Sequence, residues 1–199
     1  HSILEMLQTT LREGKWKVTV AVDHDGIMRG IWADFREHLY GIAVDIGSTT
    51  LAAHLCELGS GEVLSSAGMM NPQIRFGEDL MSRVSYVMLN QEGEKELTKS
   101  VHEALNQLSL EVCEQAGIQK EEVMEMVMVG NPVMHHLVHG INPVELGGAP
   151  FALATDEAII TPASELDLQL HQLSRTYTLP CIAGHVGADS AAMVLAEAP

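Results

Sequence analysis

Two stretches of this sequence combine carboxylates, hydroxyls and glycines in an order that suits phosphate and a divalent cation. The first is Asp45-Ile46-Gly47-Ser48-Thr49-Thr50, between two apolar runs. A tight turn through Gly47 lets successive backbone N–H groups point into one concavity, which suits a phosphate oxygen. Ser48, Thr49 and Thr50 add hydroxyls. Asp45, closing the preceding run, stands where a Mg²⁺ shell is anchored, because Mg²⁺ takes few carboxylates and keeps waters and substrate phosphates. The turn has no lysine, so metal and amides are expected to offset the phosphate charge. Read alone, the stretch serves equally as a hairpin turn with Asp and Ser bonding the backbone. The second stretch is Ala183-Gly184-His185-Val186-Gly187-Ala188-Asp189. Its glycines permit close approach of backbone to a ligand, and Asp189 opens a helix, where capping is the plainer role.

Asn71-Pro72-Gln73-Ile74-Arg75-Phe76-Gly77-Glu78-Asp79 gathers polar groups ahead of another helix. Acidic residues are favoured at a helix N-terminus, which accounts for Glu78 and Asp79 but not for Asn71, Gln73 and Arg75. Arg83 is expected to pair with Asp79 at i, i+4 on the helix surface. His135, His136 and His139 share a segment, yet no third ligand stands at diagnostic spacing and the HExxH glutamate is missing. Metal ligation is therefore disfavoured for them. Cys56, Cys113 and Cys181 form no CxxC pair, so they read as reduced, buried thiols of a cytoplasmic protein. The methionines at 69–70 and 124–128 read as strand core.

These groups need elements to hold them. Residues 40–46, 51–58 and 62–70 are apolar runs joined by short Gly/Ser turns, a three-stranded meander. Helical spacing covers 78–89, and a longer helix covers 94–116, where Leu97, Val101, Leu105, Leu108 and Val112 share one face and Gly117 supplies the stop. Residues 124–129 and 176–182 read as strands, each leading through glycine into a helix, the last over 190–197. A mixed sheet with helices against it follows. Residues 141–175, rich in Pro, Gly and Asp, read as irregular surface with a short helix or two. Residues 1–39 read separately, as a helix carrying Ile3, Leu4, Leu7 and Leu11 and a hairpin of 16–22 and 27–32 about a turn at 23–26.

With 11 Lys plus Arg against 27 Asp plus Glu, the net charge is −16 in 199 residues. Nucleic acid is therefore an unlikely partner, since it is held mainly by cations on phosphate, and an anionic membrane surface is disfavoured for the same reason. No apolar run reaches the ~18 residues a membrane span requires. The chain opens on His1 without a leader and closes on Ala198-Pro199, so it is expected to be a fragment.

The order of the motifs is more specific than any one of them. DIGSTT, NPQIRFGEDLMSRVSY, VMVGNPVMHHLVHGINP and LPCIAGHVGADSAA together resemble the ATPase domain of the corrinoid-activating reductases, the ferredoxin-linked reductive activators of corrinoid methyltransferase systems. The resemblance covers 40–196, and residues 1–39 resemble the linker domain that precedes it. It implies an α/β fold: the first ribonuclease-H-like half of an actin-, sugar-kinase- and chaperone-type ATPase (40–199), preceded by a small α+β linker (1–39). It further implies ATP and Mg²⁺ as cofactors, with Asp45, Gly47, Ser48, Thr49 and Thr50 as the first phosphate motif and Asp45 on the metal. Asn131 falls in the family's glycine-asparagine turn, Asp189 at the start of the connecting helix, and Gln73 and Glu78 are expected near the γ-phosphate or the partner.

The activity so implied is ATP-dependent reductive activation of a corrinoid protein or corrinoid-dependent methyltransferase, with a homodimer allowed. The [2Fe-2S] cluster needs four closely spaced cysteines and is expected in a domain outside these residues, as is the second phosphate motif. Pro132 and Val133 stand where the family shows threonines. An ATPase of the same fold with another client, such as a dehydratase, and a non-catalytic interaction module are the alternative readings.

Overall fold

The computed structural model describes residues 2–23 and 25–198. His24, in the expected 23–26 turn, lies outside the described residues. The first unit contains α1 (Ser2–Glu13) and the antiparallel pair β1 (Thr19–Val22) and β2 (Met28–Trp32). Thr10 of α1 is buried and Ile3, Met6, Leu7 and Leu11 are half-buried, whereas Leu4, expected on that face, is exposed.

The main sheet has the order β5-β4-β3-β6-β8-β7. Its strands are β3 (Tyr40–Ile46), β4 (Thr50–Glu57), β5 (Val63–Met70), β6 (Val123–Gly130), β7 (Ile159–Pro162) and β8 (Arg175–Thr178). The meander β3-β4-β5 is antiparallel, while β6 and β8 run parallel to β3. This is the strand arrangement expected of a ribonuclease-H-type half, with β7 added antiparallel at the edge.

Alternation sets the faces of the strands. Ile42, Val44 and Ile46 are buried on one side of β3, and Ala43 and Asp45 are exposed on the other. The buried side meets α2 (Leu80–Leu89), α3 (Gly93–Ala116) and α4 (Pro132–Val138). Along α3 the expected face of Leu97, Val101, Leu105, Leu108 and Val112 packs on Leu51, Ala53, Leu55, Met126 and Met128. Gly117 ends that helix at φ +70°, its N–H donating to the Cys113 and Glu114 carbonyls.

Four expectations need correction. The strand expected at 176–182 ends at Thr178, because Pro180 cannot continue the ladder. The 141–175 segment, read as irregular, contributes the edge strand β7, whose Pro162 is tolerated at a sheet edge. Met70 is exposed rather than core, and of the three cysteines only Cys113 and Cys181 are buried.

The first unit is fastened to the sheet by charge and ring contacts. Asp23 Oδ2 accepts from Arg29 Nε at 2.8 Å and from Arg175 Nη1 at 3.3 Å. Arg36 pairs with Glu122, and the Trp32 ring lies 5.9 Å from His171.

Candidate functional site

The site stands where parallel strands β3 and β6 end side by side, with Asp45 opposite Val129 and Ile46 opposite Gly130. Ligands of open α/β sheets bind at the carboxyl ends of such strands. Three pieces of chain converge there: the Gly47–Thr50 turn, Gly130-Asn131, and the start of α5 (Ala188–Glu197). Their proximity is close enough to require glycine. A Cβ at Gly187 would lie 2.6 Å from the Gly130 carbonyl oxygen, Asn131 Cα and Asp189 Oδ1, and one at Gly47 would lie 2.5 Å from the Thr50 carbonyl oxygen.

The turn is held from behind through its carbonyls. Gly47 O accepts from Asn71 Nδ2 at 2.8 Å, Ser48 O from Arg83 Nη2, and Thr49 O from Asn71 N at 2.8 Å. In a planar trans peptide the N–H points opposite to the C=O. The N–H groups of Ser48, Thr49 and Thr50 therefore each point away from the donor that holds the carbonyl of the same peptide. Among the described residues the hydroxyls of Ser48, Thr49 and Thr50 make no hydrogen bond, and Thr49 and Thr50 are exposed.

Asp45 and Asp189 bring two carboxylates to this end of the sheet. Partial desolvation of the carboxyl against the end of the sheet, and then the Asp189 charge, raise Asp45 above its usual range although the residue keeps solvent exposure. Excess negative charge of this kind is relieved by a divalent cation. Two carboxylates are the right donor set for Mg²⁺. No group of three His, Cys, Asp or Glu side chains suited to a metal exists among the described residues. Asp189 does not cap α5: Gly187 holds the cap position, and Asp189 Oδ1 accepts from Ser190 N at 2.7 Å.

The other expected residues divide. Asn131 lies at the rim, its Oδ1 accepting from Met134 N at 3.1 Å to cap α4. Glu78 is exposed ahead of α2, and Asp79 caps that helix by accepting from Ser82 N. Gln73 is buried behind the turn, donating to Leu97 O at 3.0 Å and accepting from Arg83 Nη1 at 3.3 Å. It supports the turn from inside, with no exposed surface. Arg83 does not pair with Asp79 on the surface. It turns inward with Val84 and Val87.

The histidines belong to the core. His136 uses both ring nitrogens, to Pro132 O at 2.8 Å and Ala154 N at 3.0 Å, and His139 Nε2 meets Thr178 Oγ1 at 2.9 Å. Burial lowers His135 and His139 to about 4.

Residues 40–198 match the family described as the RACo middle region. The chain belongs to this family. Over 184 residues it is 33% identical to the corrinoid activation enzyme RamQ of Eubacterium limosum, covering 92% of this chain and 31% of that protein. A solved reductive activator for corrinoid, iron-sulfur protein superposes with a TM-score of 0.89 at 34% identity, covering 98% of this chain and 32% of that one. The chain thus spans about a third of the length of these relatives. The RACo middle region includes every residue of the site built above, and the hairpin unit precedes it.

Proposed function

We propose that the intact protein is an ATP-dependent reductive activator of a corrinoid protein, and that residues 40–198 hold the phosphates and Mg²⁺ of its nucleotide. The observation that carries this reading is the turn whose three carbonyls are tied inward, at the end of the sheet that also carries the carboxylate pair Asp45 and Asp189. The names of the two relatives supply the corrinoid client.

In this reading the Ser48, Thr49 and Thr50 amides and hydroxyls bind phosphate oxygens, in a site organised before the ligand arrives. Asp45 would hold Mg²⁺, and Asp189, from the start of α5, would share its charge. Gly187 keeps backbone, Asn131 and Asp189 within reach of one another. Mg-ATP, when bound, supplies the phosphoanhydride whose binding or cleavage drives an otherwise uphill electron transfer. The electron source in this reading is a [2Fe-2S] cluster. Cys56, Cys113 and Cys181 do not fit one, since three separated thiols cannot replace four close ones. Residues 1–39 serve as a linker between the two functions. The client is a corrinoid protein or a corrinoid-dependent methyltransferase.

Calorimetric titration of the intact protein with Mg-ATP, followed by visible spectroscopy of a cob(II)alamin-loaded client with reductant, tests the reading. Saturable binding and nucleotide-dependent loss of the cob(II)alamin spectrum are expected. Client reduction that proceeds equally without nucleotide would overturn it.

A further inference from the structure

Arg83 has no solvent-exposed surface, and among the described residues no carboxylate lies within ion-pair distance of it. Its guanidinium is instead ringed by neutral acceptors. Nε donates to Gly77 O at 3.0 Å, Nη1 to Gln73 Oε1 at 3.3 Å and Met134 Sδ at 3.2 Å, and Nη2 to Ser48 O. Asp79, whose charge reaches it, is occupied at the N-terminus of α2. A buried cation without a partner charge is costly, and an apolar side chain of similar volume fills such a space more cheaply. The cost of burial shows in the guanidinium itself, which is held below its usual range. A sequence with only 11 cations has placed one of them, without an ion pair, directly behind the turn that would meet phosphate.

We propose that Arg83 is a positioning residue and buried counter-charge for phosphate at the Gly47–Thr50 turn, acting through the Ser48 peptide. This rests on the nucleotide reading above. The bond from Nη2 fixes the Ser48–Thr49 peptide with its N–H pointing away from the guanidinium and polarises it toward an anion. The charge acts through protein rather than water, so it is poorly screened. It supplies the positive charge that the missing lysine of this turn would have carried. Gln73 and Met134 hold the fork in place from the other side.

The test uses Arg83→Met and Arg83→Lys in the intact protein, with calorimetry of Mg-ATP, Mg-ADP and AMP and a melting curve for each variant. Arg83→Met should weaken Mg-ATP at least roughly tenfold, Mg-ADP less, and AMP least. Arg83→Lys should recover part of the loss, since the charge remains while the fork is gone. A folded Arg83→Met with wild-type affinities, or with equal losses for all three ligands, overturns the proposal and leaves the nucleotide reading standing. A wild-type protein that binds no Mg-ATP removes that reading and this one together. Should Arg83→Met not fold, the wild-type Arg83 Nε–H resonance decides: it should shift with saturating Mg-ATP, and an unmoved resonance overturns the role.

Discussion

Asn71 holds the turn that ends β3 at two points, its Nδ2 donating to Gly47 O and its backbone N to Thr49 O, each at 2.8 Å. Asn71 is itself buried and follows β5, so the far strand of the meander shapes the turn of the near one. Its Oδ1 also accepts from Gln73 N at 2.9 Å, which starts the 3₁₀ turn Pro72–Phe76.

Asn71→Ala strands the Gly47 carbonyl and the Gln73 N–H inside the protein. An unpartnered buried polar group costs about 1–3 kcal/mol. Denaturant titration should show a loss of that size, and calorimetry should show weaker Mg-ATP binding because the Gly47–Thr50 amides are no longer held in one direction.

Asp45→Asn should separate stability from binding. Partial desolvation and the Asp189 charge raise the Asp45 carboxyl, so the folded protein holds a proton that the unfolded chain has released. Stability therefore falls as pH rises from the unfolded value of 3.8 through the raised folded one, and the deficit persists at neutral pH. The asparagine variant should melt slightly higher than wild type without ligand, by under about 1 kcal/mol at so exposed a position. It should lose Mg²⁺-dependent ATP binding. Wild-type Mg-ATP affinity in that variant would contradict the assignment of the metal.

His135 is buried with neither ring nitrogen bonded, beside His136 and His139. With folded values near 4 for His135 and His139, the unfolded chain takes up protons first as pH falls below 6.5. Their contribution is complete above that value and is lost progressively down to about 4, a swing on the order of a few kcal/mol. His135→Leu removes two unpartnered polar atoms. It should raise stability at pH 7 by about 1 kcal/mol and flatten the acid limb, as followed by denaturant midpoints across pH 4 to 7.

Asp23→Asn should loosen the hairpin unit without unfolding the sheet. Asp23 Oδ2 receives both Arg29 and Arg175, so one carboxylate joins the two units. Its backbone bond from Ile27 leads the causes that hold its carboxyl below the usual range, with Arg29 contributing. That support is present above the unfolded value of 3.8 and is lost as pH falls through the lowered one. Limited proteolysis should cut faster between β2 and β3 in the variant at pH 7, while fragments beginning near residue 40 persist.

Much of the architecture was legible because it rests on local pattern. Two-residue alternation marks β3 and β4, a face repeating every three to four residues marks α3, and Gly117 stops it. What escaped depended on distant partners. β7 is a four-residue edge strand that exists only because β8 lies beside it, and no local periodicity distinguishes it from loop. The strand expected to run to 182 was overextended because apolar composition outlasted the ladder, which Pro180 ends.

At the site the same division holds. The amino-acid order alone determined that a glycine turn with three hydroxyls follows Asp45, that Gly130-Asn131 and Gly187-Ala188-Asp189 each follow a strand, and that the protein is strongly acidic. These are properties of adjacent residues. Only the tertiary structure decided that the three pieces meet, that Asp45 feels the Asp189 charge, and that Gln73 and Arg83 turn inward. Ser48 and Arg83 are 35 residues apart in the chain. Their bond depends on how α2 docks under the meander, and nothing in either residue's neighbourhood specifies that packing.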